Sequence, residues 1–277
     1  MGMRISTNIA ALNAQRNLMG SQRVMNKSMA QLASGSRINI AADDAAGLAI
    51  SENLKAQIRS SAQAQRNAND GISMVQTAEG GLSEISNIVT RLRELGIQAA
   101  SDTVGETERG FLDKEVQQLK NEVQRIASVT TWGTTKLLDG SSPDFDFQVG
   151  IFNSDFEDRI TFASSENVAT LDALGLDSLD YTSKEGAQSA LEQLDLAQTS
   201  VNGTRANLGA LQNRLTSTVD NLGVSQENLS AANSRIRDTD VAQASSEMVR
   251  NNILLQAGTS TLAQANQSNQ LALKLIG

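Results

Sequence analysis

Few side chains in this sequence could do chemistry, and the absent ones narrow the field most. Asp43 and Asp44 are adjacent acids directly ahead of the run Ala45–Ile58. Such a pair can ligate a cation, but no further ligand stands nearby at useful spacing, and no matching base or cleft is implied. Capping is the better reading: a carboxylate there accepts orphan N–H groups and complements the positive end of a helix. The 277 residues contain no His and no Cys. That excludes an imidazole-activated nucleophile, a thiolate metal site and a disulfide together. Enzymes can still run on carboxylates or Lys alone. Gly80-Gly81 lies inside a helical pattern and not after a strand, so it is no phosphate loop. Catalytic, metal and cofactor-binding residues are therefore expected to be none.

The elements that hold these residues are long. The only Pro is Pro143, so nothing elsewhere forbids extended helices. Aromatic residues are 3% and apolar residues 39%, mostly Ala, Leu, Ile and Val, which suits helix-on-helix packing more than a ring-filled core. Ile5, Leu12 and Met19 are seven apart, as are Leu18, Met25 and Leu32, and Val241, Met248, Leu255 and Leu262. A seven-residue step leaves an apolar seam that needs a partner helix. Short helices cannot bury such seams alone, so pairing of the two chain ends is expected. Ile72, Val75, Leu82, Ile85, Val89, Leu92 and Leu95 predict a second helix, with Gly80-Gly81 softening its middle. Leu112, Val116, Leu119, Val123 and Ile126 predict a third over Glu106–Val129. Leu208, Leu215, Leu222, Leu229 and Ile236 form the cleanest seam, on a helix from near Ser183 to near Asn233. Between them Phe145, Phe147 and Val149 alternate, as do Ile160 and Phe162, which predicts a hairpin at 144–163 turning around Asn153–Asp158. Its five Phe residues, Phe152 and Phe156 included, are expected to be local core. The fold class is mainly α: a long antiparallel helical coiled-coil and bundle with a small β-hairpin.

The net charge is −8 and the pI near 4.7, which makes the chain a poor nucleic-acid binder. Met1 to Ala42 nevertheless holds Arg4, Arg16, Arg23, Lys27 and Arg37 and no acid, which suits either a solvated basic helix face or a helix held against an acidic or polar neighbour in an assembly. No apolar run is long enough to cross a bilayer, and no secretory signal with a hydrophobic core stands near Met1.

Five stretches carry a resemblance. They are ISTNIAALNAQ at Ile5–Gln15, LASGSRINIAADDAAGLAI at Leu32–Ile50, NANDGISMVQTAEG at Asn67–Gly80, RIRDTD at Arg235–Asp240 and ILLQAGTSTLAQANQ at Ile253–Gln267. In this order, and at both ends of one chain, they closely resemble the two ends of bacterial flagellins over about 4–139 and 205–277. The chain departs from that pattern at Trp132-Gly133-Thr134, Ala42, Ala244 and Ser268, none of which removes an apolar seam.

The resemblance implies a subunit that is exported without a cleaved signal peptide and polymerises outside the cell into the flagellar filament used for swimming. Residues 1–44 and 236–277 would pair as the inner-tube coiled-coil, with Ile5, Leu12, Met19, Met248, Leu255 and Leu262 as assembly residues. Residues 45–235 would form an outer-tube bundle, and too few residues lie between Pro143 and Ser183 for large outer domains. Implied partners are other copies of the chain, an export chaperone at the C-terminal region around Val241–Gly277, and the filament cap and hook–filament junction proteins. Arg91, Leu95, Gln98 and Glu115 match positions through which many flagellins engage the vertebrate flagellin-sensing Toll-like receptor. Their structural alternative is that Leu95 packs subunits and Arg91 pairs with an acid. The competing readings are a hook–filament junction protein, which copy number would separate, and an intracellular coiled-coil adaptor, which explains heptads but not this wording at both ends.

Overall fold

The computed structural model describes the backbone of residues 7–276 and the side chains of residues 7–267. In chain order the elements are α1 (Ile9–Ser34), α2 (Ala45–Ala99), α3 (Glu106–Val129), β1 (Thr131–Trp132), β2 (Thr135–Lys136), β3 (Phe145–Gln148), β4 (Arg159–Phe162), α4 (Lys184–Arg237) and α5 (Val241–Ile276). The chain forms two compact units. One holds the residues up to Ile58 and from Asn228 on; the other is Arg59–Glu227. The boundaries fall inside α2 and α4.

In Arg59–Glu227, α2, α3 and α4 pack as a three-helix bundle. The sequence places one apolar face on each helix, and those faces meet: Leu82, Ile85, Val89 and Leu92 of α2, Val116 and Val123 of α3, and Leu194, Val201, Leu208 and Leu215 of α4 are buried together. Arg91 of α2 reaches Glu115 of α3 while Ala99 meets Arg109, and Arg93 reaches Asp195 of α4 while Glu79 meets Arg205, so α2 runs antiparallel to both. The expected softening at Gly80-Gly81 does not occur, and α2 is one helix of 55 residues. Gly81 is instead a place of close approach. A Cβ there would lie 2.6 Å from Thr130 Oγ1 and 2.9 Å from a Leu138 methyl.

The end of α2 is capped from α3. The Arg109 guanidinium, itself buried, donates to the Ala99 carbonyl at 2.8 Å and the Ser101 carbonyl at 2.9 Å. A cation at a helix C-terminus opposes the negative end of the macrodipole and satisfies carbonyls the helix leaves open.

The predicted hairpin is present: β3 and β4 pair antiparallel, with Phe145 opposite Phe162 and Phe147 opposite Ile160. Phe162 is buried, and Phe145 and Phe147 are half-buried against the core. Phe152 and Phe156, also expected as local core, are instead 70% and 93% exposed at the hairpin tip. The tip is folded by polar groups: buried Asp158 accepts from the N–H groups of Phe152 and Ser154, and Gln148 donates to the Phe152 carbonyl at 2.8 Å. Those bonds fold the tip on polar groups, which leaves both rings in solvent.

A second small hairpin, β1–β2, and the irregular stretch before α4 were not visible in the periodicity. They bring Leu137, Leu138, Leu176 and Tyr181 into the core. The Tyr181 hydroxyl donates to the Leu92 carbonyl at 2.9 Å, and its burial, with Asp113 nearby, pushes its pKa up.

Candidate assembly surface

In the unit formed by the chain ends, α1 and α5 lie antiparallel. Asn8 caps α1, its Oδ1 accepting from Ala11 N, while its Nδ2 donates to the Ala265 carbonyl at 2.9 Å. The inward face of α1 repeats every seven residues: Ala11, Leu18, Met25 and Leu32 alternate with Ala14, Ser21 and Ser28. On α5 the inward face is Ala244, Asn251, Gly258 and Ala265 with Met248, Leu255 and Leu262. Large side chains face small ones: a Cβ on Gly258 would lie 2.6 Å from a Leu18 methyl. This is the knob-into-hole arrangement that a heptad seam demands.

Of the expected assembly residues, Met248, Leu255 and Leu262 are half-buried against α1. Leu12 and Met19 do not join that seam. They stand on the outer face of α1, 52% and 54% exposed, near Ile9 and on a helix whose Val24 is also exposed. Ile5 lies outside the described residues. Both apolar series on α1 are heptads, but Leu18, Met25 and Leu32 interleave with small Ala and Ser, which allows close packing, whereas the Leu12–Met19 face carries Arg16 and Arg23. The outer face of α5 adds Val249, Ile253 and Leu254, which the heptad reading missed because they fall between the counted positions. An open groove of about 1060 Å³ runs along the pair, lined by Leu18, Val24, Leu254 and Gly258 among others.

The loops joining this pair to α2 and α4 are held by carboxylates. Asp44 caps α2, its Oδ1 accepting from Gly47 N at 2.8 Å. Asp43 faces the other way, pairing with Lys27 of α1 at 2.8 Å and accepting from the N–H groups of Asn39 and Ile40. The bond from Lys27 and then those backbone donors hold its pKa below the usual carboxylate value. Across the joint, Arg37 N donates to the Arg237 carbonyl at 2.6 Å and Thr239 N to the Gly35 carbonyl at 3.0 Å. The two acids are thus caps and latches for backbone, the use their spacing favoured.

In the bundle, Arg91 bridges Glu94 at 2.9 Å and Glu115 at 3.0 Å, and Gln98 is exposed beside them on α2. Leu95, placed on the same surface by resemblance, is 2% exposed and belongs to the core. It is one turn from Leu92 on the inward stripe of α2, so as the subunit stands it can touch no partner.

A chain whose ends zip together, whose outer faces carry exposed aliphatic rows and whose acids serve as caps is an assembly subunit by class. The comparisons with known proteins agree. Residues 5–143 match the bacterial flagellin N-terminal helical region, and residues 191–276 the bacterial flagellin C-terminal helical region. A flagellin of Halalkalibacterium halodurans is 45% identical over 99% of this chain and 100% of its own length. A flagellar filament core protein of Brachyspira hyodysenteriae is 43% identical over 99% of this chain and 100% of its own. The crystal structure of Bacillus cereus flagellin aligns with a TM-score of 0.50 at 31% identity, covering 57% of this chain and 88% of that one. The chain belongs to the bacterial flagellin family. It is a structural subunit of the flagellar filament, the extracellular part of the flagellum, and not an enzyme. Among the described residues, no helix is long and apolar enough to cross a membrane.

Proposed function

We propose that α1 and α5, with residues 1–44 and 236–277, form the inner wall of the filament, and that residues 45–235 form the layer around it. The observation that carries this reading is the exposed apolar row on the α1–α5 pair, led by Leu12 and Met19. Leaving such residues in water is unfavourable, and burying them against neighbouring copies gains roughly 1.5–3 kcal/mol per large side chain. Ile5, Leu12 and Met19 then bury on polymerisation, while Met248, Leu255 and Leu262 hold the pair together within a copy. Before assembly the same rows are the natural grip of an export chaperone at the C-terminal region, which keeps the chain from polymerising inside the cell and delivers it to the export apparatus. The filament cap and the hook–filament junction proteins meet the two ends of the growing polymer.

The test is seeded polymerisation followed by sedimentation and electron microscopy. Leu12→Ser with Met19→Ser is expected to keep the melting temperature of the parent and to form no filaments. Filaments at parental yield from that variant would sink the inner-wall assignment.

Arg91, Gln98 and Glu115 offer an exposed polar surface of the kind the flagellin-sensing receptor engages, with Leu95 acting from beneath by fixing the helix. On this reading receptor binding is incidental to a surface built by the Arg91–Glu115 pair. Arg91→Ala should lower receptor signalling, and undiminished signalling would remove the receptor from the list of partners.

A further inference from the structure

Two exposed aromatic sites stand at opposite ends of the bundle. At one end Phe156 projects from the hairpin tip beside a hollow of about 560 Å³, lined by Val149, Ile160 and Ala210 and rimmed by Glu157 and Arg214. At the other, Phe111 of α3 is 63% exposed, with Lys114 Nζ 5.6 Å from its ring centre and Glu108 one turn before it. Ile97 of α2 is exposed at the same height, since Arg109 of α3 bonds the Ala99 carbonyl and Arg91 pairs with Glu115.

The two sites cannot meet within one copy. Asn67 of α2 donates to the Gln148 carbonyl, which fixes the hairpin at the height of residue 67. Thirty residues of helix separate that height from Ile97, roughly 45 Å at 1.5 Å per residue. Each site also has what the other lacks. Phe111 is an aromatic anchor with a base on one side and an acid on the other. The hollow is half apolar, through Val149, Ile160 and Ala210, and half polar, through Asn213, Ser217 and Thr218; Glu157 and Arg214 stand on its rim, and its second base, Arg159, is already paired with Asp155 and Asn153. Asp158 and Gln148 hold the tip in place beforehand, so docking there orders little that was loose.

We propose that Phe111 of one copy seats in the hollow beside Phe156 of the next, with Lys114 facing Glu157 and Glu108 facing Arg214. The contact rests on the filament reading above and deepens it. It joins two different faces, so it can propagate head to tail, and it stays open, as a filament requires, when the rotation from copy to copy does not close a ring. A central aromatic in a desolvated pocket is where binding energy concentrates.

The experiment measures the critical concentration for seeded growth. Phe111→Ala and Phe156→Ala are each expected to raise it by about tenfold or more, the loss typical of an anchor residue. Both rings are exposed, so circular dichroism and melting should match the parent. Lys114→Glu and Glu157→Lys are each expected to raise it too, and the double variant, which restores opposite charges across the contact, to bring it back. The parent chain has no Cys, so a variant carrying Phe111→Cys and Phe156→Cys can be joined with a short bismaleimide. A ladder of multimers should appear from its filaments and from neither single variant. Parental critical concentrations, or filaments that form without a ladder or charge rescue, would overturn the contact and leave the filament reading standing. A parent chain that never polymerises would instead overturn the filament reading.

Discussion

Asp43 ties the loop after α1 to that helix with a single carboxylate. Lys27 donates to one of its oxygens and two backbone N–H groups to the other. These bonds stabilise the ionised form, so the folded pKa is lowered. The stability they contribute is complete above the unfolded pKa of about 4 and is lost as pH falls through the lowered folded value. Asp43→Asn should be less stable than the parent at neutral pH. It should also lose less melting temperature than the parent on acidification below about pH 4. Identical pH profiles for the two chains would show that the latch carries no charge-dependent stability. The sequence showed this acid pair as caps because the helix start behind it was plain. That one acid caps α2 while the other turns back to Lys27 depends on the loop, which no spacing encodes.

At the scale of elements, the approximate span expected for α3 matches the observed Glu106–Val129, and the Leu208–Leu215 part of the α4 seam is buried as its spacing demands. Farther along the same seam Leu222, Leu229 and Ile236 are only half-buried. A heptad states that a face is apolar, not how many partners cover it. The same limit explains α1, where two seams compete and the one interleaved with small residues wins the inward position. Leu95 shows a different limit: resemblance gives a position in a word, while its burial follows from the stripe it shares with Leu92. Leu137, Leu138 and Tyr181 left no trace because they lie in connections without period. Their packing is nonetheless tight enough to test. Gly81→Val should destabilise the bundle by about 1–3 kcal/mol, because overpacking at the Thr130–Leu138 contact forces the connection outward. Urea unfolding would measure it, and an unchanged midpoint would mean that the connection yields freely.

For the molecule as a whole, charge is segregated between the two units. Arg59–Glu227 holds twenty-five acids against thirteen bases, whereas the rest of the chain holds six acids against ten bases. Copies packed side by side with their bundles in register therefore repel one another through the bundles. Salt shortens the reach of that repulsion from about 30 Å at 0.01 M to about 8 Å at 0.15 M. Seeded growth should accelerate across that range. A rate that falls with added salt would mean that attraction between the basic ends and acidic bundles limits growth instead.

The pairings are nested: α1 with α5 outside, α2 with α4 inside, and α2 with α3 joined directly by residues 100–105. Closing the chain from residue 58 to 228 as a free loop would cost about 4–5 kcal/mol of entropy. Once the bundle is formed, Gln65 already lies 3.9 Å from the Cβ position of Gly223, and most of that cost has been met. That cost favours folding from the middle outward, with the terminal zipper expected to close last and open first. Amide exchange should read this as faster opening in α1 and α5 than in α2 and α3. A subunit arriving at a growing tip would then bring a finished bundle and two ends still free to choose between each other and their neighbours.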